Sequence, residues 1–108
     1  MKTKLALALA VLALAALTAS AADVKANWEK HCLKCHGPDG KGDTKLGKKS
    51  EVKDMTTPQY HAELKDDKAF KSVKEGIKDG DKIRMKPAEG LSDDEIKALI
   101  AHVRTFKK

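Results

Sequence analysis

The sequence predicts an all-α fold. Four separate stretches place apolar residues at helical spacing, and cap signals open most of them. No stretch alternates apolar and polar residues in the way a half-buried strand does. The 108 residues are enough for one small domain.

The N-terminal stretch reads as a segment outside that domain. Met1-Lys2-Thr3-Lys4 is a short basic start, Leu5 to Leu17 is an unbroken run of Leu, Ala and Val, and Ala19 to Ala22 offers small residues. This is the pattern of a secretory signal peptide over residues 1–22, with cleavage after Ala21 or Ala22. Its apolar run is short for a bilayer span, so no stable membrane insertion is expected after cleavage. The expected domain is then 23–108, on the far side of a membrane from the cytoplasm, in the periplasm. Without Lys2 and Lys4 the formal net charge of +6 falls to +4. The lysines are spread along the chain, and no basic tract interleaves with aromatics, so nucleic acid is not an expected partner.

The elements follow in order. Val24, Trp28 and Cys32 fall at i, i+4 and i+8, one stripe of a helix over about 24–34. Gly37-Pro38-Asp39-Gly40 breaks it, and the Gly- and Lys-rich chain to about Lys53 reads as a loop. Thr57-Pro58 is a cap with proline in the first turn, opening a short helix to about Leu64. Asp66 or Asp67 caps a third helix with Ala69, Phe70, Val73 and Ile77 on one face, ending between Gly76 and Gly80. The segment from Ile83 to Gly90 is expected to be irregular. Ser92 and Glu95 form a capping box for a last helix to about Phe106, with Ile96, Leu99, Ile100 and Val103 buried. Trp28, Tyr60, Phe70 and Phe106 are the whole aromatic complement. A domain with so thin a core gains from a large apolar ligand.

Cys32-Leu33-Lys34-Cys35-His36 says which ligand. Cys-x-x-Cys-His is the pattern for covalent attachment of a c-type haem. Two thiols one helical turn apart can each form a thioether with a vinyl group, and the adjoining histidine faces the porphyrin.

On these residues, together with Gly37-Pro38-Asp39-Gly40-Lys41-Gly42, Met85, Pro87 and the Leu91–Ile96 helix start, the chain resembles the class I c-type cytochromes, small single-haem electron carriers of bacterial periplasms. The resemblance spans essentially all of 23–108. It implies a class I cytochrome c fold of about four helices around one covalently attached haem, with His36 as proximal and Met85 as distal iron ligand. It also implies a crossing of the first and last helices at Trp28. The chain departs from the family's usual pattern in having Val24 where a small residue is common, His102 where an aromatic is common, and a lysine between Met85 and Pro87.

Other residues compete for the iron. Met55 lies close to the motif and precedes a cap, so it reads as packing. His31 reads as a surface histidine, His61 as a surface residue or an alternative distal ligand, and His102 as packing against the first helix. Arg84 reads as a partner for a haem propionate or as an exposed charge. The expected function is shuttling of single electrons between redox proteins by a monomer that transforms no substrate, its lysines meeting acidic docking surfaces. A secreted thiol–disulfide oxidoreductase using Cys32 and Cys35 is the alternative; it calls for a nearby βαβ pattern that the sequence lacks. A zinc site on Cys32, Cys35, His36 and His31 lacks a second ligand pair.

Overall fold

A computed structural model describes residues 23–108. The signal-peptide and cleavage readings fall on residues 1–22, outside the described residues. The elements are α1 (23–31), α2 (Leu33–His36), α3 (Lys45–Ser50), α4 (Pro58–Glu63), α5 (Asp66–Glu75), β1 (Ile77–Asp79), β2 (Lys82–Met85) and α6 (Asp93–Arg104). The architecture is mostly helical, as expected.

The core lies where α1 crosses α6. Trp28, Cys32 and Leu99 are its buried centre, with Val24, Leu33, Met55, Leu91, Val103 and Phe106 packed around them. The Asn27 side-chain amide donates to Glu95 at 3.0 Å and ties the crossing at its edge. Glu95 also closes the expected capping box: its carboxylate accepts from the Ser92 N–H at 3.0 Å, and the Ser92 hydroxyl accepts from the Glu95 N–H at 3.1 Å. At the far end of α6 the chain folds back, and the Lys108 N–H donates to the Thr56 carbonyl at 3.0 Å.

α4 starts as read from the sequence, with the Thr57 hydroxyl accepting from the Tyr60 N–H at 3.1 Å and Pro58 in the first turn. α5 begins at Asp66 but has no side-chain cap; Asp66 and Asp67 instead place two negative charges in its first turn. It packs against α6, and ion pairs Lys74–Asp93 (3.1 Å) and Asp66–Arg104 bridge the two helices.

Three expectations need correction. The first helix is interrupted at Cys32, which adopts φ −123° and separates α1 from α2. The stretch read as a loop contains α3, because Thr44 caps it and docks it on α2. The third helix ends at Glu75, so Ile77 leaves its expected face, and Ile83 to Met85 is not irregular: the chain turns at Gly80 into an antiparallel hairpin in which Ile77 faces Met85, Lys78 faces Ile83 and Asp79 faces Lys82, with a bulge after Ile77. Its two-residue turn is Gly80-Asp81. Gly80 has φ +62° and Asp81 has no positive φ, the arrangement that lets a tight turn follow the twist of its strands.

Candidate cofactor site

The Cys-x-x-Cys-His segment is held by a ladder of backbone bonds. The Cys32 N–H donates to the Trp28 carbonyl at 2.9 Å, continuing α1 into the turn. The Cys32 carbonyl accepts from the N–H groups of Cys35 (3.3 Å) and His36 (2.9 Å), and the His36 carbonyl accepts from Gly42 (2.9 Å). Cys32, Cys35 and His36 therefore share one helical turn.

Both cysteines are free thiols; Cys32 is buried and Cys35 half-buried. Burial, and then the charge on Cys35, push the Cys32 thiol up to about 11. A reactive dithiol needs the opposite, a thiol drawn down toward thiolate. Burial also holds the His36 ring below the usual histidine range and so favours the neutral form, the one that can ligate a metal. Its Nδ1 is buried and has no hydrogen-bond partner among the described residues. Two free thiols and a neutral imidazole on one turn fit a porphyrin attached through two thioethers and ligated from one side. Among the described residues no group of three or more His, Cys, Asp or Glu side chains converges to hold a bare metal ion, which leaves the zinc reading unsupported.

Packing beneath this turn is close. The Thr44 hydroxyl donates toward the Lys34 carbonyl at 2.7 Å, with the Cys35 carbonyl 3.0 Å away, and accepts from the Gly47 N–H at 2.9 Å. A Cβ on Gly47 would lie 2.2 Å from the Cys35 carbonyl oxygen, so only glycine lets α3 approach this near. On the other side the Trp28 indole N–H donates to the Gly37 carbonyl at 3.0 Å. Its ring touches Phe106 (centroids 5.1 Å), His102 (5.3 Å) and His36 (6.0 Å).

Met85 sits on a separate element, as the half-buried last residue of β2. Met55 is half-buried against the Trp28 cluster, its N–H donating to the Gly40 carbonyl at 2.8 Å. His61, expected at the surface, is instead buried, its ring Nε2 2.7 Å from the Met55 carbonyl, so it is already engaged. His31 is half-exposed on α1, and His102 packs on Trp28 as expected. Arg84 pairs with Glu51 (3.1 Å) and Asp79 (3.3 Å). The sequence reading missed Thr44 and Gly47. The available signal was a threonine three residues ahead of a glycine at the start of a short polar helix.

A family model described as "Cytochrome C oxidase, cbb3-type, subunit III" matches residues 19–103. The chain belongs to the c-type cytochromes. A solved structure titled "KustC0563 c-type cytochrome" superposes with TM-score 0.66 at 32% identity, covering 75% of this chain and 93% of that one. A second, of a Kustc0563 mutant in which a phenylalanine replaces a tyrosine, gives TM-score 0.63 at 31% identity, covering 74% of this chain and 93% of that one. No curated protein matches. As a c-type cytochrome the protein carries a covalently bound haem c with iron and works as an electron carrier with redox partners.

Proposed function

We propose that this cytochrome is a periplasmic shuttle for single electrons, with haem c attached through Cys32 and Cys35 and iron held by His36 and Met85. The observation that carries the reading is the shared turn of Cys32, Cys35 and a half-buried His36. Bound there, haem supplies a one-electron ferrous–ferric couple. The chain's own part is to anchor the two thioethers, present the imidazole from α2 and bring a thioether from β2. Two filled axial positions leave no open site for a substrate, which is why the reading is a carrier and not an enzyme. Residues 1–22 act as the export signal in this reading, and 23–108 form the cytochrome domain.

Engagement of the His61 ring and packing of Met55 leave Met85 as the favoured distal ligand. Met85→Ala should abolish the weak far-red sulfur-to-iron band of the ferric protein and lower the potential. Met55→Ala should keep the band. The reverse result would move the assignment to Met55, and loss in neither variant would move it to His61. The dithiol reading is tested on the same sample, because only covalent haem gives a Soret band that survives acid–acetone extraction.

The partners in this reading are proteins with acidic docking surfaces. Lys45 and Lys49 stand exposed on α3 beside Leu46, which is 45% exposed. Screening shortens to about 10 Å at 0.1 M salt, so transfer to an acidic partner should slow as salt rises. A second-order rate that stays flat with ionic strength would reject steering by the lysines.

A further inference from the structure

We propose that Trp28 is a positioning residue for the axial histidine, setting the orientation of the His36 ring through the Gly37 peptide and by direct contact. The proposal rests on the reading that His36 ligates iron.

Four hydrogen bonds meet at the backbone of His36 and Gly37, and three of them are made by backbone partners. The His36 N–H goes to Cys32, the His36 carbonyl takes the Gly42 N–H, and the Gly37 N–H goes to Leu33 at 2.9 Å. The fourth, on the Gly37 carbonyl, is made by the Trp28 indole N–H at 3.0 Å. Gly37 is buried and has φ +77°, so its peptide plane is held in a conformation that few residues adopt and that the indole pins. The same indole stands 6.0 Å from the His36 ring with the two planes at 41°. An iron-bound histidine is usually oriented by an acceptor for its second ring nitrogen. The His36 Nδ1 has no such partner among the described residues. Packing and the backbone that carries the ring therefore bear on its orientation, and Trp28 supports both. Its outer face is braced by Phe106 and His102, so the indole has little room to rock.

The test uses the ferric holoprotein. The pattern of the haem methyl proton resonances reports the orientation of the axial ligands, the imidazole plane among them, and a shift of the Met85 sulfur band would show separately any change on that side. Trp28→Phe keeps an aromatic ring and removes the N–H donor. It should change the methyl pattern and raise the pH at which acid displaces His36. Leu99→Ala is the control, because it opens the same core cluster without touching the Gly37 carbonyl. It should lower the thermal midpoint and leave the methyl pattern unchanged. An unchanged pattern in Trp28→Phe, or an equal change in Leu99→Ala, overturns the proposal. Should Trp28→Phe fail to mature, the wild type still decides. The chain has one tryptophan, hence one indole N–H resonance. That proton should exchange slowly in both oxidation states; rapid exchange overturns the proposal. His36→Ala separates the two readings: a low-spin spectrum surviving there means that His36 is not the ligand, whatever Trp28 does.

Discussion

Around the cysteine motif the chain fills its own space. Trp28 is 4% exposed, the Cβ positions of Gly40 and Gly47 are taken by Phe106 and the Cys35 carbonyl, and the backbone from Cys32 to Gly37 is hydrogen-bonded at almost every step. Along the hairpin that leads to Met85 the same chain is more open, and only at Gly76, whose Cβ position lies 2.5 Å from the Met85 carbonyl oxygen, is the packing as close. β1 and the first half of β2 lie at the surface, Ile77 and Ile83 are 41% and 52% exposed, α5 buries no residue fully, and Gly80 has nothing within 4 Å of its Cβ position. The difference teaches where the polypeptide suffices and where it does not. The motif side is organised by protein atoms alone. The Met85 side carries apolar groups that need a further apolar surface, and haem c is the large apolar group this family supplies.

The largest effect should come from removing the attachment. Cys32→Ala together with Cys35→Ala should give a chain without covalent haem and with a broad, weakly cooperative thermal transition, because a small domain has little stability to spare. Hydrogen exchange should be fastest over 77–85. A sharp transition in the haem-free variant would mean that both halves stand without the cofactor.

Glycine substitutions probe the contrast directly. Gly47→Ala forces a methyl into the Cys35 carbonyl and should cost about 3 kcal/mol by overpacking. Gly80→Ala meets open space and strains only its φ of +62°, which costs about 1 kcal/mol. Chemical denaturation of the two holoproteins measures both. Equal costs would erase the distinction between the halves.

Smaller effects come from titrating groups at the α1–α6 crossing. The Ser92 N–H first, and then Asn27, hold the Glu95 carboxyl below its ordinary value of 4.5. A depressed carboxyl stabilises the fold above that ordinary value and loses its contribution as pH falls through its lower native value. Glu95→Gln should therefore melt below the wild type at pH 7, with the gap closing at acid pH. A gap that persists unchanged at acid pH would assign the effect to shape and not to charge.

The smallest effect belongs to His102. Burial, and then Lys25, hold its ring below the usual 6.5. Its neutral form is the one that folds best, so its contribution is present above 6.5 and is lost as pH falls. His102→Phe should keep the ring contacts and lessen the fall in thermal midpoint between pH 7 and pH 5. Identical pH profiles for the two proteins would place the acid sensitivity elsewhere.

The sequence was most readable where chemistry is local. The Ser92–Glu95 box, the Thr57-Pro58 start and the Trp28 stripe each declare themselves within a few residues, and the structure carries all three. Cys-x-x-Cys-His marked the shared turn for the same reason. α3 was hidden because six residues with three lysines, a glycine and a serine have no helical stripe of their own. They are helical because Thr44 fastens them to the Lys34 and Cys35 carbonyls, a partnership across ten positions. The hairpin was hidden because its strands are three and four residues long and mostly charged, too short for alternation to show. Gly80-Asp81 was the one local clue, a pair that suits a two-residue turn. Arg84 pairs with Glu51 and Asp79, a choice of partners that no spacing rule could supply.

The hydrogen bond from Asn27 to Glu95 joins residues 68 positions apart, and the Trp28–Phe106 contact bridges a similar span. Such contacts carry a long loop closure, since the chain must lose the freedom of the loop between them before either one repays it. Closing the molecule therefore carries the entropy of a loop that takes in most of the described chain.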